Sequence, residues 1–252
     1  MSARVAVLQF PGVNCEAETL RAVERAGMRG ELFRWTRPAA ELRRYDAYVL
    51  PGGFSWQDRV RAGALAAKHA MTEALAAEVE ERGKPVLGIC NGAQVLVESG
   101  LVPGGGRVEL ALARNRMPGR GDYYSAWVYV RVEISPCVFT RALEPGTVLP
   151  LPVAHAQGRF TSRRSGRLAE LLAHGQVPLR YAGAEGGLAK GFPEDPNGSD
   201  EAAAAVCNAA GTVLALMPHP ERALDLGQVG RAVGGPWAER RERAREAGRA
   251  GE

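Results

Sequence analysis

Apolar positions in the first hundred residues fall into short, almost unbroken runs, separated by stretches with a helical period. "RVAVLQF" (4–10), "ELFRW" (31–35), "DAYVL" (46–50) and "PVLGIC" (85–90) are runs of the first kind, as expected of strands covered on both faces. Between the first two, "PGVNCEAETLRAVERAG" (11–27) reads as a helix, with Asn14 as N-cap, acidic residues in the first turn and Gly27 at the far end. Its inward stripe is expected to be Ala17, Leu20 and Val23. A short helical piece follows around Ala39 to Arg44, then one long alanine-rich helix from Gly63 to Glu81 ended by Gly83. "NGAQVLVESG" (91–100) is a further helix, stopped by Gly100. Strand–helix alternation of this kind implies a parallel sheet with helices on both faces.

The pattern then changes. "RVELALARN" (107–115), "SAWVYVRVEI" (125–134) and "TVLPLPVAHAQGRF" (147–160) are strand-like with Pro and Gly breaks, and read as antiparallel additions or a mixed sheet edge. "RSGRLAELLAHG" (164–175) is a helix and "VPLRYA" (177–182) a strand. "FPEDPNGSDEAAAAVC" (192–207) opens with a turn-rich loop, and "TVLALMPHPER" (212–222) is a last buried strand running into a loop. No repeat or Ser/Gly tether interrupts the chain, so one domain over 1–252 is expected. The C-terminal "AERRERAREAGRAGE" alternates arginine with glutamate and suits a solvated helix at about 236–249 with i,i+4 pairs.

Composition narrows the function classes. The net charge of +4 comes from 32 basic and 28 acidic residues mixed along the chain, with no basic block interleaved with aromatics, so nucleic-acid binding is unsupported. No apolar run reaches the ~18 residues of a membrane span and the N-terminus has no signal-peptide pattern; a cytoplasmic protein is expected. The four cysteines, Cys15, Cys90, Cys137 and Cys207, lie far apart, without a C-x-x-C pair or a histidine at metal-ligand spacing. Neither a disulfide framework nor a metal site is expected.

Candidate chemistry centres on Cys90. Gly88, Cys90 and Gly92 match a nucleophile elbow with sulfur in place of oxygen. At the apex of a strand–turn–helix the sulfur meets the helix N-terminus, which favours the thiolate, and the N–H of Asn91 points at a developing oxyanion. A packed core cysteine beside two turn glycines fits the segment equally well. Among the histidines, His69 falls inside the alanine-rich helix and His174 at a helix end, where a surface or capping role is expected. His219 follows an apolar strand in "MPHPER", with Glu221 two residues on, a spacing that lets the carboxylate orient the imidazole. Pro51-Gly52-Gly53 follows the strand "DAYVL" and offers bare backbone N–H groups at the same sheet edge.

Taken together, "PGG", "GICNGAQ" and "MPHPE" resemble the class I glutamine amidotransferases. "FPGVNCE" (10–16), "PGGFSWQDRVRAGALAA" (51–67), "GICNGAQVLVESGLVPG" (88–104), "LPVAHAQGRF" (151–160), "DPNGS" (195–199) and "MPHPERA" (217–223) are similar, in order, to motifs of the glutaminase subunits of phosphoribosylformylglycinamidine synthase. The departures are Gln57, where the family has glycine, Ala93, where it has a larger residue, and "HAQGRF" for H-G-E-G-R-F/Y. That last change leaves His155 and Gln157 without an assigned role.

The resemblance implies a flavodoxin-like three-layer α/β fold with a mostly parallel central sheet. It implies Cys90 as nucleophile, His219 as base and Glu221 as its orienting carboxylate, with glutamine bound near Gly52, Gly53, Phe54, Asn91 and Gln94. It also implies ammonia delivery to a large synthetase subunit, with a small accessory subunit, for ATP-dependent amination of formylglycinamide ribonucleotide. This chain carries no G-x-x-x-x-G-K-[ST] loop, so no cofactor is expected in it; ATP and Mg are expected on the synthetase. Three alternatives stay open: a class I amidotransferase of another pathway, a free-standing cysteine hydrolase of flavodoxin-like fold, and a non-catalytic interaction module.

Overall fold

In the computed structural model, described for residues 2–119, 122–249 and 251, three of the four early apolar runs, "RVAVLQF", "DAYVL" and "PVLGIC", lie inside one sheet, whereas "ELFRW", expected to be covered on both faces, is its edge strand with only Phe33 buried. Met1, Arg120, Gly121, Ala250 and Glu252, which the expected 1–252 domain also covers, lie outside the described residues. The strands are β1 (Arg4–Gln9), β2 (Arg29–Arg34), β3 (Ala47–Leu50), β4 (Val86–Ile89), β5 (Ala111–Ala113), β6 (Tyr124–Val132), β7 (Val148–His155), β8 (Arg159–Thr161), β9 (Leu179–Ala182), β10 (Ala203–Cys207) and β11 (Val213–Leu216). Nine of them form a sheet in the order β2-β1-β3-β4-β11-β10-β9-β6-β7, and β5 pairs with β8 separately.

Pairing is parallel from β2 through to β11 and antiparallel from β11 through β10, β9 and β6 to β7. The burial of each strand matches its place. All four residues of β11 are buried, whereas Val128, Val130 and Val132 alternate with less buried neighbours along β6, as in a strand with one covered face. The sheet is therefore mixed, with the antiparallel additions anticipated for the middle of the chain forming one whole side of it.

The helices are α1 (Glu16–Arg25), α2 (Ala64–Ala67), α3 (Ala70–Arg82), α4 (Asn91–Glu98), α5 (Arg167–Ala173) and α6 (Gly235–Glu246), with a 3-10 turn at Ala39–Arg44. α1 packs on β1 and β2, and α4 on β3, β4 and β11.

Three expectations are corrected. Cys15, not Asn14, is the N-cap of α1: the N–H groups of both residues donate to Gly52 O at 3.3 Å, so the preceding loop is tied to the Gly52 turn and the helix begins one residue later. The helix is also rotated, with Thr19 and Val23 buried and Ala17 exposed; the Thr19 hydroxyl donates to Cys15 O at 2.7 Å. The alanine-rich helix is two helices. His69 leaves helical geometry (φ −84°, ψ 144°) and caps α3, its side chain accepting from Met71 N. Its ring stacks among Phe10, Trp35 and Trp56, and this packing overrides alanine's helix propensity. The solvated C-terminal helix is present as α6, which docks on its own chain by one face while most of its residues stay exposed. Trp237 Nε1 donates to Val148 O at 3.0 Å, and the buried Arg241 donates to Gly230 O at 2.5 Å. An i,i+4 pair, Glu239–Arg243 at 3.7 Å, is nonetheless present.

Candidate active site

Parallel strands point their C-terminal ends at one edge, and in an open α/β sheet ligands bind there, where strand order reverses. β1 lies between β2 and β3, so the reversal sits beside β1. Four segments meet at that edge: Phe10–Cys15 after β1, Gly52–Asp58 after β3, Cys90 after β4 and His219 after β11. β7 runs in the same sense as β11, two pairs of antiparallel steps away, and brings Ala154–Gln157 to the same place. Together they line a cavity of about 80 Å³ that includes Cys15, Gly53, Phe54, Asp58, Cys90, Gln94, Tyr123, His155, His219 and Arg222.

Cys90 occupies the elbow between β4 and α4 with φ 52° and ψ −105°, a backbone state that costs an L-residue on the order of 1–3 kcal/mol. The glycines beside it have no space for a side chain. A carbon on Gly92 would lie 2.0 Å from Leu50 O, and one on Gly88 2.6 Å from Gly92 O. The turn is also pinned at Cys90, whose N–H donates to Leu216 O at 2.8 Å. The first bond of α4 is donated by Gln94 N to Cys90 O, which leaves the Asn91 N–H outside the helical ladder, beside the sulfur.

His219 and Glu221 meet as their spacing predicts. Nδ1 and Glu221 Oε1 are 2.6 Å apart, and both side chains are 2 % exposed. Among the described residues, His219 Nε2 and Glu221 Oε2 have no hydrogen-bond partner. Burial opposes protonation of the imidazole, but Cys15, Cys90 and Glu221 outweigh it and hold the His219 pKa well above its ordinary value. His155 is the opposite case. Burial and the neighbouring His219 bring it down to about 3, so it is neutral. Its Nδ1 lies 3.2 Å from Asn115 Oδ1, an oxygen that also accepts from Gly158 N.

The remaining expected residues divide. Gly53 (φ 138°) needs to be glycine, since a side-chain carbon would lie 2.6 Å from Asn14 N, and it lines the cavity. Gly52 lies behind the cavity, where a side chain would strike His219 Cε1 at 2.8 Å. Phe54 lines the cavity, but its N–H donates to Gly12 O at 2.9 Å and is not free for a ligand. Asn91 is a clamp: its Oδ1 accepts from Ser55 N at 3.0 Å, and its Nδ2 donates to Asp58 Oδ1 at 3.1 Å and Gln94 Oε1 at 2.9 Å. The amide of Gln94 in turn donates to Gln157 O at 2.7 Å. Thus Gln94 lines the cavity while its amide holds the wall.

Sequence reasoning gave no role to Cys15, Asp58, Tyr123 or Arg222. Arg222 Nη2 lies 2.8 Å from Cys15 Sγ. Asp58 is buried enough to raise its carboxyl pKa, an effect opposed by the bond from Asn91. The "DPNGS" segment acts from behind: Asn197 Nδ2 donates to Gly158 O at 3.0 Å and Ser199 Oγ accepts from Phe160 N at 3.0 Å, fixing the turn after His155.

Known proteins share this arrangement's sequence and fold. The CobB/CobQ-like glutamine amidotransferase domain matches residues 2–245. The chain is 46% identical over 235 residues to phosphoribosylformylglycinamidine synthase subunit PurQ of Methanothrix thermoacetophila, covering 90% of this chain and 89% of that one. It is 42% identical over 222 residues to the same subunit of Thermus thermophilus, covering 88% and 90%. Among solved structures it is similar to a chain in the structure of PurLQS from Thermotoga maritima, with a TM-score of 0.72, 33% identity and 97% of each chain covered. The chain therefore belongs to the CobB/CobQ-like glutamine amidotransferase family and, within it, to the PurQ subunits of phosphoribosylformylglycinamidine synthase.

Proposed function

We propose that this chain hydrolyses glutamine at Cys90 and supplies the ammonia to a synthetase subunit, which converts formylglycinamide ribonucleotide to formylglycinamidine ribonucleotide in purine biosynthesis. The observation that carries the site assignment is the His219–Glu221 pair, buried, 2.6 Å apart and with Nε2 left free beside the elbow cysteine. Glu221 fixes the ring so that Nδ1–H faces the carboxylate and Nε2 faces the sulfur. The raised His219 pKa suits an imidazolium paired with a Cys90 thiolate.

In this mechanism the thiolate forms a C–S bond to the side-chain amide carbon of glutamine, and the carbonyl electron pair moves onto oxygen. The N–H groups of Asn91 and Gly53 receive that charge. When the adduct collapses, the C–N bond breaks, His219 gives its proton to the leaving nitrogen and ammonia departs, leaving a γ-glutamyl thioester. Water then attacks the thioester carbon while Nε2 takes a proton. Glutamate leaves, and the thiolate–imidazolium pair is restored. Asp58 and Arg222, one carboxylate and one guanidinium on the cavity wall, match the two charges of an amino-acid substrate.

A large synthetase subunit and a small accessory subunit complete the enzyme in this reading, in the cytoplasm, with ATP and Mg bound by the synthetase. None of the described helices is long and apolar enough to cross a membrane. Because free ammonia is lost to solvent, the isolated chain is expected to turn over glutamine slowly. Ammonia release is measured for the chain alone and with both partner subunits, ATP and formylglycinamide ribonucleotide. Stimulation by the partners that disappears in Cys90→Ala is the expected result. Rapid turnover without partners contradicts the coupling, and turnover retained in Cys90→Ala contradicts the nucleophile.

A further inference from the structure

Outside the catalytic cavity, a groove of about 1030 Å³ opens between Arg61, the end of α4, the stretch 107–111 and the loop 161–167. Its apolar lining is Val108, Leu110 and Ala111, and Val108 is 52% exposed. Five of the other lining residues are arginines and two are glutamates. Both glutamates are already held: Glu98 Oε1 accepts from Arg61 Nε at 2.7 Å, and Glu109 Oε2 from Arg167 Nε at 2.9 Å. Arg107 and Arg163 are exposed and make no ion pair among the described residues. The groove therefore offers apolar surface together with unmatched positive charge.

It is continuous with the turn that lines the catalytic cavity. Val60, the residue before Arg61, has φ 72° and is 82% exposed. A β-branched side chain in left-handed backbone is an outlier that points to function, and this one is apolar surface left in solvent. The turn is packed at both ends. A side-chain carbon on Gly53 would lie 2.6 Å from Asn14 N, and one on Gly63 would lie 2.7 Å from Gln94 C in α4. Between these ends Val60 is uncovered, beside the exposed Arg59. Exposed apolar side chains rimmed by arginine mark a protein interface.

We infer that this groove, with Val60 and Val108 exposed along it, is where the large synthetase subunit docks, through an acidic segment that also carries apolar side chains. Its carboxylates meet Arg107 and Arg163, and its apolar side chains cover the two valines. The inference rests on the function proposed above. The synthetase is the occupant, and not the accessory subunit, because ammonia has to reach it without meeting solvent, so its surface abuts the 53–61 segment that borders the cavity. Docking there covers Val60 and holds a turn that the chain alone restrains with few bonds. The apolar lining distinguishes the groove from a phosphate-backbone site, whose contacts are mainly polar and cationic.

The test measures binding of the full chain to the synthetase subunit, with and without the accessory subunit, at increasing salt. It compares the parent, the double variant Arg107→Glu/Arg163→Glu, and Arg43→Glu, which reverses an exposed arginine at the opposite edge of the sheet, ahead of β3. The double variant is expected to bind the synthetase at least about tenfold more weakly and with a shallower salt dependence, and Arg43→Glu to bind like the parent. The slow turnover of glutamine by the isolated chain is expected to be unchanged in both. Hydrogen exchange across 54–60 is expected to fall when the synthetase binds the parent. Binding as tight in the double variant as in the parent, equal weakening by Arg43→Glu, weakening confined to the accessory subunit, or exchange across 54–60 indifferent to the synthetase would each overturn the inference. Partner-stimulated turnover in the parent keeps the two proposals apart. Its absence overturns the function proposed above and this surface with it, whereas full stimulation of the double variant overturns the docking surface alone.

Discussion

Two neighbouring turns line one part of the cavity, and both contain left-handed backbone, but they hold it by different means. In the elbow a single L-residue, Cys90, has positive φ, and the glycines around it are in backbone contact too close for any side chain. In the segment after Gly53, Trp56, Gln57, Asp58 and Val60 all have positive φ, and Val60 is 82% exposed. What restrains this second turn is a handful of polar ties, two of them from the Asn91 side chain, together with the Trp56 ring against Phe10 and His69. The nucleophile is thus set by packed backbone that has no alternative position. The opposite wall, beside the Gly53 N–H, is set by hydrogen bonds that a single substitution removes.

The largest effect is expected from Gly92→Ala. A carbon 2.0 Å from Leu50 O forces β3 and the elbow apart, at a cost of at least about 3 kcal/mol. Thermal unfolding should show the loss, and Cys90 should no longer react with a glutamine-like electrophile.

Asn91→Ala comes next and acts on the other turn. It strips partners from Ser55 N, Asp58 and Gln94, so glutaminase activity should fall by roughly 10²-fold with the fold intact. Hydrogen exchange should rise across 54–60 and stay low across 88–92. Equal loosening of both turns would dissolve the distinction.

Glu221→Gln probes the rigid side through pH. His219 has its pKa raised above the ordinary 6.5, so the stability it contributes is complete below that value and is lost as pH rises through the folded-state value. Removing the carboxylate takes away one of the groups that raise it. The NMR titration of the His219 ring should therefore move to lower pH, and the loss of stability, which starts near the unfolded-state value in both proteins, should be smaller and complete at lower pH than in the parent. A titration unmoved by the substitution would remove Glu221 from its assigned role.

The smallest effect is a gain. Gln57 has φ 54°, a state glycine adopts without the ~1–2 kcal/mol an L-residue pays. Gln57→Gly should stabilise the protein by about 1 kcal/mol, or ~2–4 °C in Tm.

How much was readable beforehand follows the same division. β1, β3, β4 and β11 are continuous apolar runs because both faces are covered, and Gly88, Gly92 and the His219–Glu221 spacing are local signals that needed no tertiary knowledge. The misreadings arose where distant segments decide. Asn14 is drawn out of the cap position by Gly52, and His69 is pulled out of an alanine helix by Phe10, Trp35 and Trp56. Gln94 lines the cavity, and its amide bond to a carbonyl 63 residues away is a contact that no local pattern signals. Arg222 and Cys15 meet across 207 residues, and no spacing rule links them.

The most direct test of the central claim is to treat the chain with a glutamine-mimicking diazoketone, with and without excess glutamine, and to locate the adduct by peptide mass spectrometry. The account predicts one adduct per chain, on Cys90, suppressed by glutamine, with Cys15, Cys137 and Cys207 unmodified. An adduct on Cys15, or labelling of Cys90 that glutamine does not slow, would contradict it.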